Sequence, residues 1–145
     1  MVNPVLEYAT CVWSPHYNYA IDNIEAVQRK FTKRLKGCKD IEYPARLSYL
    51  HLQSLERRRL TADLILTYSI IFGLVDVCMS DYFQLMSSNG DRAVTRGNPI
   101  KLSVNYCRTN TRKNFFSERV VKVWNSLPPS SLLLILLHWQ DLEIP

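Results

Sequence analysis

AIDNIEAVQRKFTKRLK, residues 20–36, decides the fold class. Ile21, Ile24, Val27, Gln28, Phe31 and Leu35 recur three and four residues apart, so at about 3.6 residues per turn they line one narrow stripe. That spacing predicts an amphipathic helix. Arg29, Lys30, Lys33 and Lys36 project from the other side, with Arg34 at the border. Asp22 and Glu25 fall in the first turns, where the helix dipole favours anions, and Glu25 and Arg29 are spaced for an i,i+4 pair. Lys36 followed by Gly37 is a basic residue and then a glycine C-cap. The cationic side has two readings: a solvated face that suits the dipole, or a comb that grips nucleic-acid phosphates.

The flanks predict further helices. Asn3 before Pro4 is a helix start, and Val5, Leu6, Ala9, Val12 and Trp13 keep helical spacing as far as Ser14-Pro15. HYNY, residues 16–19, connects this helix to the basic one, giving an antiparallel pair. Pro44 opens a short helix with Leu47 and Leu50. Ser54 then caps a longer one, from Leu55 to about Phe72, whose apolar face of Leu60, Leu64, Ile65, Tyr68, Ile71 and Phe72 marks it as the buried centre. Arg57, Arg58 and Arg59 crowd its first turn, where the dipole disfavours cations, so chance solvation or phosphate contact must account for them.

Residues 87–99, SSNGDRAVTRGNP, are rich in turn signals. Ile100, Leu102, Val104 and Tyr106 alternate with polar residues, which predicts a strand, paired with residues 93–95 as a hairpin. From Arg112 to Leu127 the helical period returns through Phe116, Val120, Val123, Trp124 and Leu127, until Pro128-Pro129 ends it. Trp124 and Phe116 read as core. The tail, 130–145, is an apolar run of different character.

Composition bounds the function. A chain of 145 residues with 47% hydrophobic residues is long enough for a real core. The net charge of +5 is uneven: residues 1–60 carry ten Lys and Arg against six acids, 91–127 carry eight against two, and 61–90 have three acids and no base. Two basic regions around an acidic, apolar one fit either a polyanion partner or two solvated faces. Cys11, Cys38, Cys78 and Cys107 lie 27, 40 and 29 residues apart, and His16, His51 and His138 are equally scattered, so no metal site or cofactor is expected. MVNPVLEYAT lacks the basic and apolar regions of a secretory signal, and the uncharged runs 64–75 and 132–140 are shorter than the ~20 residues that span a bilayer. An intracellular chain, cytoplasmic or nuclear, is the expectation. No nucleophile elbow, phosphate loop or HExxH spacing points to an enzyme.

Five phrases in this order carry a resemblance: LEYATCVWSP at 6–15, IEAVQRKFTKRL at 24–35, LQSLERRRL at 52–60, TRG at 95–97 and RTNTRKNFFSERVVKVWNSLP at 108–128. Together they resemble the region just after the polymerase core of reverse transcriptases of LINE-type, non-LTR retrotransposons, over residues 6–128. The resemblance implies a thumb-like helical region and its downstream extension, which help such polymerases hold template and primer. It implies backbone contacts with RNA or DNA from Arg29, Lys30, Lys33, Arg34, Arg57, Arg58, Arg59, Arg112 and Lys113. It does not carry the activity, because a reverse transcriptase needs paired aspartates for two metal ions and no Asp-Asp dipeptide occurs here.

The expectation is therefore a mainly α, small helical bundle with a short hairpin or strand near 93–107. Its parts are a helical thumb-like region at 1–86, a loop, hairpin and last helix at 87–129, and a divergent apolar tail at 130–145. Its function is either sequence-indifferent grip on a nucleic-acid backbone or that of a helical protein-interaction or structural module with no nucleic-acid role. Excised from a polymerase, such a region is also expected to self-associate through uncovered apolar faces.

Overall fold

The basic stretch folds as helix α1 (Asn18–Lys33), starting two residues earlier and ending about one turn sooner than the pattern predicts. The structure, a computed structural model, describes residues 8–86 and 100–128. Arg34 closes α1 with its N–H 3.0 Å from the Phe31 carbonyl, and Gly37, at φ 81°, turns the chain where a side chain would be strained. Helix α2 (Tyr43–Tyr49) carries Pro44 in its first turn, and α3 (Leu55–Ile71) is capped by Ser54, whose Oγ accepts from the Arg57 N–H at 3.3 Å. After a 3-10 turn at Met79–Asp81 come α4 (Asn110–Lys113) and α5 (Phe116–Ser126).

The chain is mainly α, as the periodicities predict, with three differences. Residues 8–12 form turns, not helix; Ala9 sits at φ 53° and its carbonyl accepts from both Val12 and Trp13. The start of the helix expected from Asn3 lies outside the described residues. The single helix expected from Arg112 to Leu127 is two, broken where Phe115 turns extended at ψ 149°. The segment 100–106 forms no strand: one antiparallel bridge joins Leu102 to Leu85, and Val104 and Tyr106 are exposed. Residues 93–95, the expected hairpin arm, and the tail also lie outside the described residues.

The chain divides into two compact units, Met1–Thr61 and Ala62–Pro145. In the first unit the interior is largely polar. Glu25, Gln28 and Thr32 are the buried residues of α1, joined by Arg46, Cys38 and Leu55. The apolar stripe chosen from the sequence is instead partly open, with Val27 42% and Phe31 58% exposed. The packed face of α1 is thus turned by roughly 60° from the hydrophobic one, toward residues that hydrogen-bond to the rest of the unit. The Gln28 side chain donates to the Gln53 carbonyl at 2.9 Å, and Thr32 Oγ1 to the Gln28 carbonyl at 2.9 Å.

Helix α3 repeats the pattern: Leu55, Arg59, Asp63, Thr67 and Ile70, spaced four, four, four and three, are its buried stripe with Ser69 beside it. Leu64, Ile65, Tyr68 and Ile71 are half-buried, while Leu60 and Phe72 are exposed. In the second unit the core is apolar, built from Ile70, Phe83, Leu102, Phe116, Val120, Val121 and Trp124. Phe83 and Phe116 meet edge to face at 5.8 Å.

Leu102 shows how the short extended segment is held without a sheet. On one side Met86 N–H bonds to the Lys101 carbonyl and Ser103 N–H to the Gln84 carbonyl, at 2.9 and 2.7 Å. On the other, the amide of Asn125 pairs with both backbone groups of Leu102, at 2.9 and 2.8 Å. One side chain of α5 thus stands in for a neighbouring strand and satisfies two backbone groups. The adjacent Trp124 donates its indole N–H to the Ile100 carbonyl at 2.8 Å.

Candidate nucleic-acid interface

Glu25 sets the geometry of the first unit. It is buried, accepts from the Tyr43 hydroxyl with one carboxylate oxygen, and accepts from the Leu55 N–H at 2.9 Å with the other. It is not the surface partner of Arg29 that the i,i+4 spacing suggests. Its charge lies at the amino end of α3, opposing the dipole that the following arginines otherwise aggravate. Arg29 lies with its guanidinium 5.0 Å from the Tyr43 ring centre, so the tyrosine links α1 and α2 through both its hydroxyl and its face.

Burial and the neighbouring Glu25 carboxylate push the Tyr43 hydroxyl well above its ordinary value. The protonated form is favoured in the folded state, so this contribution is complete below about pH 10, where unfolded tyrosine begins to ionise, and is lost as the pH rises further. Tyr43→Phe is expected to remove that alkaline loss while lowering stability at neutral pH by about 1 kcal/mol. Urea midpoints at neutral and strongly alkaline pH check both signs.

The predicted contact residues separate by environment. Arg29, Lys30, Lys33 and Arg34 are all exposed, and among the described residues Lys30, Lys33 and Arg34 have no carboxylate within ion-pair reach. Arg57 is exposed and Arg58 half-buried. Arg59 is 5% exposed, with its guanidinium 5.5 Å from the Trp13 ring centre, so it packs inside the unit instead of facing a ligand. Part of the crowded arginine run is thereby accounted for by an aromatic face. The second unit holds Arg112, paired with Glu118 at 3.0 Å and lying over Phe115, and the exposed Lys113.

Hydrophobic periodicity takes in Gln28 through its place in the stripe but passes over Glu25, Thr32 and Arg46. Glu25, Gln28 and Thr32 share helical spacing but are polar, and Arg46 is buried with its guanidinium nitrogens 3.5 Å from the Cys38 and Arg29 carbonyls. Their i, i+3, i+7 order is the one signal available, read as a stripe of hydrogen-bonding groups. No group of three His, Cys, Asp or Glu residues placed to hold a metal occurs among the described residues. No helix among them is long and apolar enough to cross a membrane. Comparison of the chain with protein-family models, curated proteins and solved structures found no match.

Proposed function

We propose that the chain is a non-catalytic helical piece of the kind found after the polymerase core of LINE-type reverse transcriptases, and that its first unit grips nucleic-acid backbones without reading sequence. One observation carries the reading: α1 and its closing residue hold Lys30, Lys33 and Arg34 in solvent, with no carboxylate partner among the described residues. Cations left open on a rigid helix gain most from phosphates, whose bound counterions they release. Arg29 and Arg57 extend the surface within the unit, and Arg112 and Lys113 are a smaller basic element of the second. Arg59 takes no part in it. The thumb-like role and an intracellular, cytoplasmic or nuclear setting belong to the same proposal.

Neutralising about four phosphates predicts a log-log salt slope near -3.6 on duplex DNA and about -2.8 on single strands. Replacing Arg29, Lys30, Lys33 and Arg34 together with glutamine is expected to weaken binding to all sequences alike and to flatten that slope. Helix content should hold, since glutamine is a good helix former. Fluorescence anisotropy across a salt series reads the result, and a salt-independent affinity or an unweakened variant overturns the proposal.

The exposed Val27, Phe31 and Leu35 favour a second reading, a helical module that binds protein or a further copy of itself through the apolar side of α1. Concentration-dependent light scattering that Phe31→Gln abolishes would favour it.

A further inference from the structure

HYNY, residues 16–19, which runs into the first residues of α1, is an aromatic platform and not a plain linker. Tyr17 and Tyr19 are 53% and 68% exposed, and their rings stack with centres 5.7 Å apart at 20°. His16 lies against the other end of the pair, its ring centre 4.0 Å from that of Tyr17. Open, stacked rings of this size leave apolar faces in water that a flat, polarisable ligand can cover.

The platform is aligned with the cationic comb. Counting along α1 from Tyr19, residues Asn23, Ala26, Lys30 and Lys33 follow at i+4, i+7, i+11 and i+14, so all five share one face of the helix. Asn23, Lys30 and Lys33 are exposed on it and Ala26 is half-buried and small, which leaves the track clear of bulk. Asp22, exposed to one side near the tyrosines, makes that end unfavourable for phosphate. Rings lie at one end and unneutralised amines at the other, separated by roughly 20 Å at about 1.5 Å per residue. That distance corresponds to roughly six phosphates of a stacked strand.

We propose that this face of α1 is a binding track for single-stranded nucleic acid, with unpaired bases stacking on Tyr17 and Tyr19 and the backbone running on to Lys30 and Lys33. The inference rests on the backbone-gripping role proposed above and adds to it a preference for unpaired over paired strands. A duplex keeps its base faces covered and satisfies only the lysines, whereas a single strand engages both ends of the track. Ring faces stack on any base and do not read the sugar, so the preference is independent of sequence.

Anisotropy with labelled strands of about twelve nucleotides tests it, using oligothymidylate, oligouridylate, the thymidylate-adenylate duplex and an abasic strand with the same number of phosphates. Tyr17→Ala with Tyr19→Ala is expected to weaken both single strands by roughly tenfold or more, since stacking contributes roughly 5- to 150-fold per base. Duplex affinity should move less than about twofold, Tyr→Phe at both positions should retain binding, and the wild-type chain should hold the abasic strand as weakly as the alanine variant holds oligothymidylate. Oligothymidylate and oligouridylate should be held about equally, since the ring faces do not read the sugar. If the wild-type chain holds abasic and intact strands equally, or the alanine variant loses duplex and single strand alike, base stacking is overturned while the backbone role stands. If the wild-type chain binds none of the four, the backbone role itself fails.

Discussion

Trp124→Ala is expected to cost the second unit about 3 to 5 kcal/mol, the largest loss available to one truncation in its core. The indole is fully buried in a core that also holds Phe116 and Val120, so its removal leaves a cavity, and it takes away the hydrogen bond that the ring nitrogen donates to the Ile100 carbonyl. Because Asn125, the next residue, holds both backbone groups of Leu102, a shift in this turn of α5 is expected to loosen the extended segment as well. Trp124→Phe separates the two parts, keeping most of the volume while removing one hydrogen bond, at about 1 kcal/mol. Urea unfolding followed by circular dichroism reads both. An unchanged midpoint for the alanine variant would remove Trp124 from the centre of the unit.

How far the fold could be read in advance depends on what each segment uses to hold itself together. Where apolar spacing does the holding, as in α5, periodicity found the core residues Phe116, Val120 and Trp124, though not the break that separates α5 from α4. Where hydrogen bonds do it, the helices were found but their packed faces, Gln28 apart, were not. Glu25, Gln28 and Thr32 on α1, and Arg59, Asp63 and Thr67 on α3, are buried because their polar groups find partners, and a hydrophobicity pattern is blind to that. The basic comb was legible because Lys30, Lys33 and Arg34 need only point outward. The aromatic platform was not, since stacking of Tyr17 on Tyr19 depends on the extended backbone of Tyr17, at ψ 134°, just before the helix begins.

Asp63 carries the second large effect. Its two carboxylate oxygens receive Nε and Nη2 of Arg119 at 2.8 Å each, a bidentate pair between α3 and α5 within the second unit. The aspartate side chain is almost wholly out of water and the arginine mostly so, and Arg119 also donates to the Asn114 carbonyl at 3.2 Å, at the break between α4 and α5. Asp63→Leu removes the carboxylate partner of a largely buried guanidinium, and a loss of about 3 to 5 kcal/mol is expected. At roughly 4 to 8 °C per kcal/mol for a unit of this size, the melting temperature should fall by more than ten degrees. Arg119→Leu alone is expected to be nearly as costly, because the carboxylate is then the stranded charge. Asp63→Leu with Arg119→Leu should recover most of the loss, since two apolar side chains in place of a buried ion pair remove both desolvation penalties at once. The sign of the coupling in this double-mutant cycle is the decisive quantity: a double variant about 2 kcal/mol or more better than the sum of its singles is the signature of one shared pair. Strictly additive losses would mean that the two side chains do not meet, and α5 would then be held by its apolar face alone.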